Sequence, residues 1–331
     1  MRQATIRDVA RQANVSVASV SRTINGHSNV NAATRERVLQ AVRDLGYVPN
    51  AAARSLSMAL SHTIGVVVPD LHGEFFSELI RGMDGAARAA GYQLLLSTMH
   101  ADVAEARHAL AAMHGRVDGL IVMAAQIDPA ELDAMLPASL PVVLLNGVGG
   151  GDRSWFAIDN RAGAAAVADH FAALGRRSIL HIMGPEANVD ARERRDGFAA
   201  ALKRSAPGAS LTVMPGDFGE ESGRAAVADG VERQLTFDAI FAANDMMALG
   251  AMQELQRRSI DVPDKVAVAG FDDIPMARFL GLTTMRVRMD EIGKRAVEAL
   301  TAALDEPGRA VEQERLVPEL VVRASTIGER Q

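Results

Sequence analysis

The chain has 331 residues with 35 lysines and arginines against 41 aspartates and glutamates, a formal charge of −6, and as an average that argues against nucleic acid as a partner. Hydrophobic residues at 48% and charged residues at 23% are ordinary globular values, so wholesale disorder is excluded and the length allows more than one core. With no cysteine there is no disulfide scaffold, thiolate nucleophile or Cys-ligated zinc site, and Met1-Arg2-Gln3-Ala4-Thr5-Ile6-Arg7-Asp8 lacks the apolar stretch of a signal peptide, so a cytoplasmic protein without membrane spans is expected.

In chain order, the first 47 residues read as three short helices. Thr5 with Asp8 forms an N-terminal capping pair, and Ile6, Val9, Ala10 and Ala13 share one apolar face. Asn14-Val15 signals a turn. Ser16 caps a second helix running to about Asn25, with Val20 and Ile24 inward; Asn31 caps a third, in which Val38, Leu39, Val42 and Leu45 share a face until Gly46 stops it. Three helices with a tight turn between the first two make a helix-turn-helix pattern. The inward positions leave Val17, Ala18, Ser21, Arg22 and Asn25 on the outer face of the second helix. There Val17 and Ala18 suit thymine methyls, Arg22 suits guanine O6 and N7, and Ser16, Ser19 and Ser21 suit phosphates. The first 60 residues hold eight arginines (Arg2, Arg7, Arg11, Arg22, Arg35, Arg37, Arg43, Arg54) against Asp8, Glu36 and Asp44, a balance of +5, which leaves −11 on the rest. That split describes a polyanion-binding arm on an acidic body.

From residue 64 onward, short apolar runs at 64–69, 92–97, 119–123, 141–145, 156–159, 178–183, 211–214, 239–242 and 266–269 alternate with amphipathic stretches. The latter predict helices over 78–90, 103–114, 164–174, 194–204, 223–234 and 247–257. Near-continuous apolar strands alternating with helices mean parallel sheets covered on both faces, and roughly 270 residues favour two doubly wound subdomains over one. A cleft between them gathers the carboxyl ends of the strands, which carry Asp70, Asn146, Asn160, Asn244 and Asp272.

The sequence from Thr5 to Asn25, Thr34-Arg-Glu-Arg-Val38 and Leu45-Gly-Tyr-Val-Pro-Asn50 resembles the DNA-binding head of the lactose-repressor/purine-repressor (LacI-type) family of bacterial transcription regulators. The likeness continues through Ile64-Gly-Val-Val-Val-Pro-Asp70, Phe75-Phe76, Asp159-Asn-Arg-Ala-Gly163, Arg192-Glu-Arg-Arg-Asp-Gly-Phe198, Ala243-Asn-Asp-Met246, Gly270-Phe-Asp-Asp273 and Leu282-Thr-Thr284. Any one of these motifs is weak; the ordered set is specific. The resemblance implies an all-α helix-turn-helix head over 1–47 and a hinge over 48–60. It also implies an α/β core over 61–331 similar to the periplasmic sugar-binding proteins of type I. Within the core, one subdomain takes about 61–159 and 290–317, the other about 160–289 and 318–331.

In the hinge, Pro49 biases Val48 to an extended conformation and Asn50 caps the alanine-rich stretch 51–57. A helix of about two turns is far below the ~12–15 residues at which isolated helices become marginal, so it is expected to fold only when two copies pack on DNA. The resemblance makes Leu56 a wedge in the minor groove, flanked by Asn50, Ala53 and Arg54, with a central CG step as the natural target; Thr5 joins the DNA-contacting set. It also makes Arg194 the effector-binding arginine, with Arg192 and Arg195 as surface charges. Asn146, Asn244 and Asp272 become polar effector contacts, and Phe75, Phe76 and Phe218 apolar or aromatic ones, one of the two adjacent phenylalanines being as well suited to the core. Aromatic faces with Asn, Asp and Arg suit a pyranose.

Asn146-Gly-Val-Gly-Gly-Gly-Asp152 has the look of a dinucleotide fingerprint but leads into a strand-like segment, where a phosphate cradle needs a helix N-terminus; it reads as a connector. The eight histidines show no paired metal spacing, and His72 reads as a loop residue. No catalytic constellation, cofactor motif or metal site emerges. The expectation is a homodimeric regulator, a repressor that binds a palindromic operator in double-stranded DNA and senses a sugar or sugar derivative. The alternatives are a nucleobase-responsive regulator, a solute-binding receptor of a transport system, and a two-domain α/β enzyme. The short stretch after Leu320-Val-Val-Arg-Ala-Ser-Thr326 has no leucine-heptad tail, which favours a dimer over a tetramer.

Overall fold

The computed structural model describes residues 4–24, 30–47, 60–71, 73–100, 102–138, 140–147 and 152–328. The chain forms two compact units, 1–61 and 62–331.

The first unit contains α1 (Ile6–Ala13), α2 (Val17–Ile24) and α3 (Ala32–Leu45). Thr5 and Asp8 close a reciprocal capping box, with the Thr5 N–H donating to Asp8 Oδ2 at 3.0 Å and the Asp8 N–H to Thr5 Oγ1 at 3.4 Å. Asn14, left-handed at φ 52°, ends α1. Ser16 Oγ accepts from the Ser19 N–H at 3.1 Å, and Asn31 Oδ1 from the Thr34 N–H at 2.8 Å. The core is small: Val9, Ala10, Ala13, Val20, Val38 and Ala41, with Ile24, Val42 and Leu45 packed against it. Leu39, expected inside, is 40% exposed. The helical period of 3.6 that buries Val38 carries the inward face to Ala41 and Val42 and leaves Leu39 beside it.

The second unit holds two parallel sheets. The first is built from β1 (Thr63–Val68), α4 (Glu74–Ala89), β2 (Gln93–Thr98), α5 (Val103–Met113), β3 (Gly119–Met123), α6 (Pro129–Met135), β4 (Val142–Leu145) and β5 (Ser154–Ile158). The chain then enters the second sheet with α7 (Asn160–Ala173), β6 (Ser178–Ile182), α8 (Val189–Ser205), β7 (Ser210–Met214), α9 (Glu220–Glu232), β8 (Ala239–Ala242), α10 (Asp245–Arg257), β9 (Ala267–Ala269), α11 (Pro275–Phe279) and β10 (Thr284–Arg286). It returns through α12 (Met289–Asp305) and β11 (Gln313–Leu316), then ends with β12 (Glu319–Val321) and α13 (Ala324–Ile327). Strand order is β11-β5-β4-β3-β1-β2 in one sheet and β7-β6-β8-β9 in the other, with β10 and β12 an antiparallel pair.

The strand rhythm expected from the sequence is present, but five helices start earlier than their apolar periodicity. Helices α4, α7, α8, α9 and α10 begin at 74, 160, 189, 220 and 245; polar side-chain caps set the first turn of α7, α8 and α10, whereas α4 and α9 start after Gly73 and Gly219 with no side-chain cap. Asp159 accepts from the Ala162 N–H, Asn188 from Ala191 and Asn244 from Met247. Asp159 and Asn244 follow the ends of β5 and β8 almost at once and Asn188 closes the loop after β6, so the polar groups that start these helices stand on the carboxyl-end side of the sheets. β1 and β3, and β6 and β8, are neighbours from which the chain winds in opposite directions. Such switch points open a crevice at the strand ends.

Candidate functional site

An open cleft of about 1540 Å³ lies between the two sheets of the second unit, where these crevices meet. All seven residues expected from the sequence to contact an effector line it: Phe75, Phe76, Asn146, Arg194, Phe218, Asn244 and Asp272.

Arg194 sits in the second turn of α8 and is 3% exposed. Its Nε donates to Asn160 Oδ1 at 2.8 Å, its Nη1 to the Ala243 carbonyl at 2.5 Å and, at 3.5 Å, to Asp272 Oδ1. Its guanidinium lies 3.8 Å over the Phe271 ring, a desolvated cation–π contact. Gly197, one turn on, fixes this position. A Cβ there would run into the Arg161 backbone, so glycine is what lets α8 lie against α7. Arg192 and Arg195 instead reach Glu186 and Asp196 outside the cleft.

Asn160, fully buried, bridges Arg194 to Asp190 through Nδ2 to Oδ1 at 2.8 Å, and Asn146 Nδ2 donates to Asp190 Oδ2 at 2.9 Å. Asp190 is therefore a site residue that the strand-end reading passed over. The signal was its spacing, four residues before Arg194 on one helix face. Burial raises its carboxyl above the ordinary range, against the lowering influence of Arg194. Burial likewise pushes Asp272 up, to about 7, with Arg194 opposing. Asp272 is held by its backbone: its N–H donates to the Met285 carbonyl at 2.8 Å, and its own carbonyl accepts from Val287 at 3.2 Å.

Three of these residues share a strained backbone. Asn146 at φ 48°, Phe218 at φ 72° and Asp272 at φ 117° all occupy positive φ, a region that costs a non-glycine residue about 1–3 kcal/mol and clusters at ligand sites. Phe218 packs against Gly184, where any Cβ would overlap its ring. Asn244 is spent on structure, its Oδ1 capping α10 and its Nδ2 donating to the Phe218 carbonyl at 2.9 Å, so it shapes the wall by holding Phe218. Phe75 and Phe76 both reach the cleft while half-buried, their rings edge-to-face at 5.1 Å. Two buried acceptors in the lining, Asn146 Oδ1 and Gln126 Oε1, have no hydrogen-bond partner among the described residues.

In the first unit, α2 turns Val17, Ala18 and Arg22 outward, with Ser21 half-buried on the same side. Thr5 and Ser16 are exposed at the starts of α1 and α2, where their hydroxyls act as caps. Asn25, Asn50, Ala53, Arg54, Leu56 and His72 lie outside the described residues.

A basic helix-turn-helix unit and a two-lobed α/β unit with a polar cleft in one chain define the class of ligand-sensing DNA-binding regulators. Residues 5–50 match the family described as bacterial regulatory proteins, lacI family, and residues 168–326 match the periplasmic binding protein-like domain. The ribose operon repressor of Halalkalibacterium halodurans is 31% identical over 98% of this chain and 97% of its own length. The transcriptional repressor PurR of Photobacterium profundum is 34% identical over 97% and 98%. The crystal structure of the lac repressor dimer bound to operator and the anti-inducer ONPF superposes with a TM-score of 0.87 at 27% identity, covering 98% of this chain and 99% of that one. The chain belongs to the lacI family of bacterial regulatory proteins. It is a DNA-binding transcriptional regulator and not an enzyme.

Proposed function

We propose that the protein is a homodimeric repressor that acts in the cytoplasm, binds a palindromic operator through 1–47, and releases or grips it according to the occupancy of the cleft. The observation that carries this reading is the cleft itself: a buried Arg194–Asn160–Asp190 network, two unpartnered amide acceptors and three phenylalanines at the strand ends of both sheets. A sugar or sugar derivative fits that lining, since its hydroxyls satisfy acceptors while its C–H faces lie on aromatic rings. The ribose operon repressor among the relatives supports the same class. The core is 61–331, with lobes over about 61–159 and 290–317 and over 160–289 and 318–331; 48–60 couples it to the head.

On DNA, Val17, Ala18, Ser21, Arg22 and Asn25 read the major groove and Thr5 and Ser16 hold phosphates. The hinge residues Asn50, Ala53, Arg54 and Leu56 engage the minor groove at the operator centre. Two heads are needed because one half-site gives little specificity. Ligand binding shifts the balance between two lobe arrangements by the difference in affinity for them, and that bounds the effect on DNA. Selection of the full-length protein on a randomised duplex library, followed by a salt-titrated gel shift, tests the reading. One palindrome with a steep salt slope is expected, and enrichment of no symmetric site would overturn it. Leu56→Ala should weaken specific binding while leaving ligand affinity intact.

A further inference from the structure

We infer that the cleft admits an uncharged polyhydroxylated ligand and rejects its phosphorylated or carboxylated counterparts. This deepens the reading above and rests on it.

The lining is unbalanced in charge. Asp190 and Asp272 stand at its floor, with Asp70, Glu74, Asp217 and Glu220 around it, whereas Arg194 is the only arginine or lysine among the described lining residues. That arginine is already committed to Asn160, the Ala243 carbonyl and Asp272, with its charge lying over Phe271. Among the described lining residues, an arriving anion therefore meets carboxyl groups with no uncommitted lysine or arginine to receive it, inside a cleft whose partly desolvated walls screen little.

The hydrogen-bonding pattern points the same way. Asn146, 6% exposed, and Gln126 both line the cleft, and among the described residues neither Asn146 Oδ1 nor Gln126 Oε1, both buried, has a donor. An unsatisfied buried acceptor costs about 1–3 kcal/mol, and a ligand hydroxyl that donates to it removes that cost. A phosphate or carboxylate brings acceptors where the site already has them in excess.

The test uses the full-length protein and matched pairs: D-ribose with D-ribose 5-phosphate, and D-glucose with D-glucose 6-phosphate and D-gluconate. Melting-temperature shifts are followed by titration calorimetry. At least one neutral sugar is expected to bind, with each of its anionic counterparts at least tenfold weaker. That gap should narrow from 50 to 500 mM salt, because charge repulsion is screened and steric rejection is not. A phosphorylated or acid sugar that binds as tightly as its neutral partner overturns the inference and leaves the sensor reading standing. A gap unmoved by salt overturns the electrostatic cause. Silence from the entire panel overturns the inference together with the sugar assignment, while the operator experiment above decides the DNA-binding role on its own.

Discussion

At Asp272 the backbone and the side chain pull in opposite directions. The residue is held at φ 117°, where glycine is at ease and a Cβ is not, yet its carboxylate takes part in the Arg194 network. Asp272→Gly and Asp272→Ala both remove the carboxylate, but only glycine also removes the strain. The glycine variant is expected to be more stable than the alanine variant by about 1 kcal/mol in urea unfolding, with ligand response reduced in both. His181 is a separate case. It lies fully buried in β6, stacked at 4.9 Å on Phe241 and 5.9 Å from Phe198, with Nδ1 bonded to the Phe241 carbonyl. Burial lowers it from 6.5 to about 4, so the fold keeps the ring neutral while the unfolded chain takes up a proton below about pH 6.5. Its contribution is therefore intact above that pH and is lost as pH falls towards 4, roughly 2 kcal/mol of it by pH 5. The raised carboxyls of Asp190 and Asp272 act in the reverse sense, stabilising the fold as pH falls. The comparison must therefore be made between variants: His181→Phe is expected to show a smaller loss of urea midpoint between pH 7 and 5 than the parent.

Elements in this chain are started by caps and continued by periodicity, and the sequence exposes the two unequally. Thr5 illustrates the first. Its capping box serves two backbone donors at the start of α1, and replacing such a cap typically costs about 1 kcal/mol. In a unit with so small a core, Thr5→Ala should lower head stability by about that amount and weaken operator binding, with the ligand-induced melting shift of the core unchanged. The strands of the second unit were legible because fully buried parallel strands read as unbroken apolar runs, as 239–242 does. Helix starts were less so, since Val189-Asp190 and Asn160-Arg161 interrupt the apolar pattern that continues behind them. The three short strands β10, β11 and β12 went unread. β11 is Gln313-Glu-Arg-Leu316, whose largely exposed residues carry no run or alternation that marks a strand. Among the site residues, those at strand ends were found from the sequence. Asp190 and Gln126 were not, because each depends on how α8 and the β3 end are turned towards the cleft, which is decided by packing such as Gly197 against Arg161.

For the whole molecule, the average charge of −6 describes neither half: +5 resides in the first 60 residues and −11 in the remainder. The same division appears in the packing. The cluster formed by Val9, Ala10, Ala13, Val20, Val38 and Ala41 shares no member with the clusters of the second unit. In that second unit, by contrast, one continuous cluster joins Ile64, Phe156 and Leu300 of the first sheet's lobe to Phe171, Phe198 and Phe241 of the other. Cooperative unfolding follows shared burial, so the two lobes should melt together and the head apart from them. At about 0.7 kcal/mol per residue the head contributes on the order of 30 kcal/mol of unfolding enthalpy and the core on the order of 190. Calorimetry of the full-length protein should therefore resolve a small transition and a large one. Operator DNA is expected to raise chiefly the small one and a cleft ligand the large one, since each binds only its own folded unit. A single transition whose van't Hoff enthalpy equals the whole calorimetric enthalpy would show that head and core fold as one, and the separation of reader from sensor would then have to be abandoned.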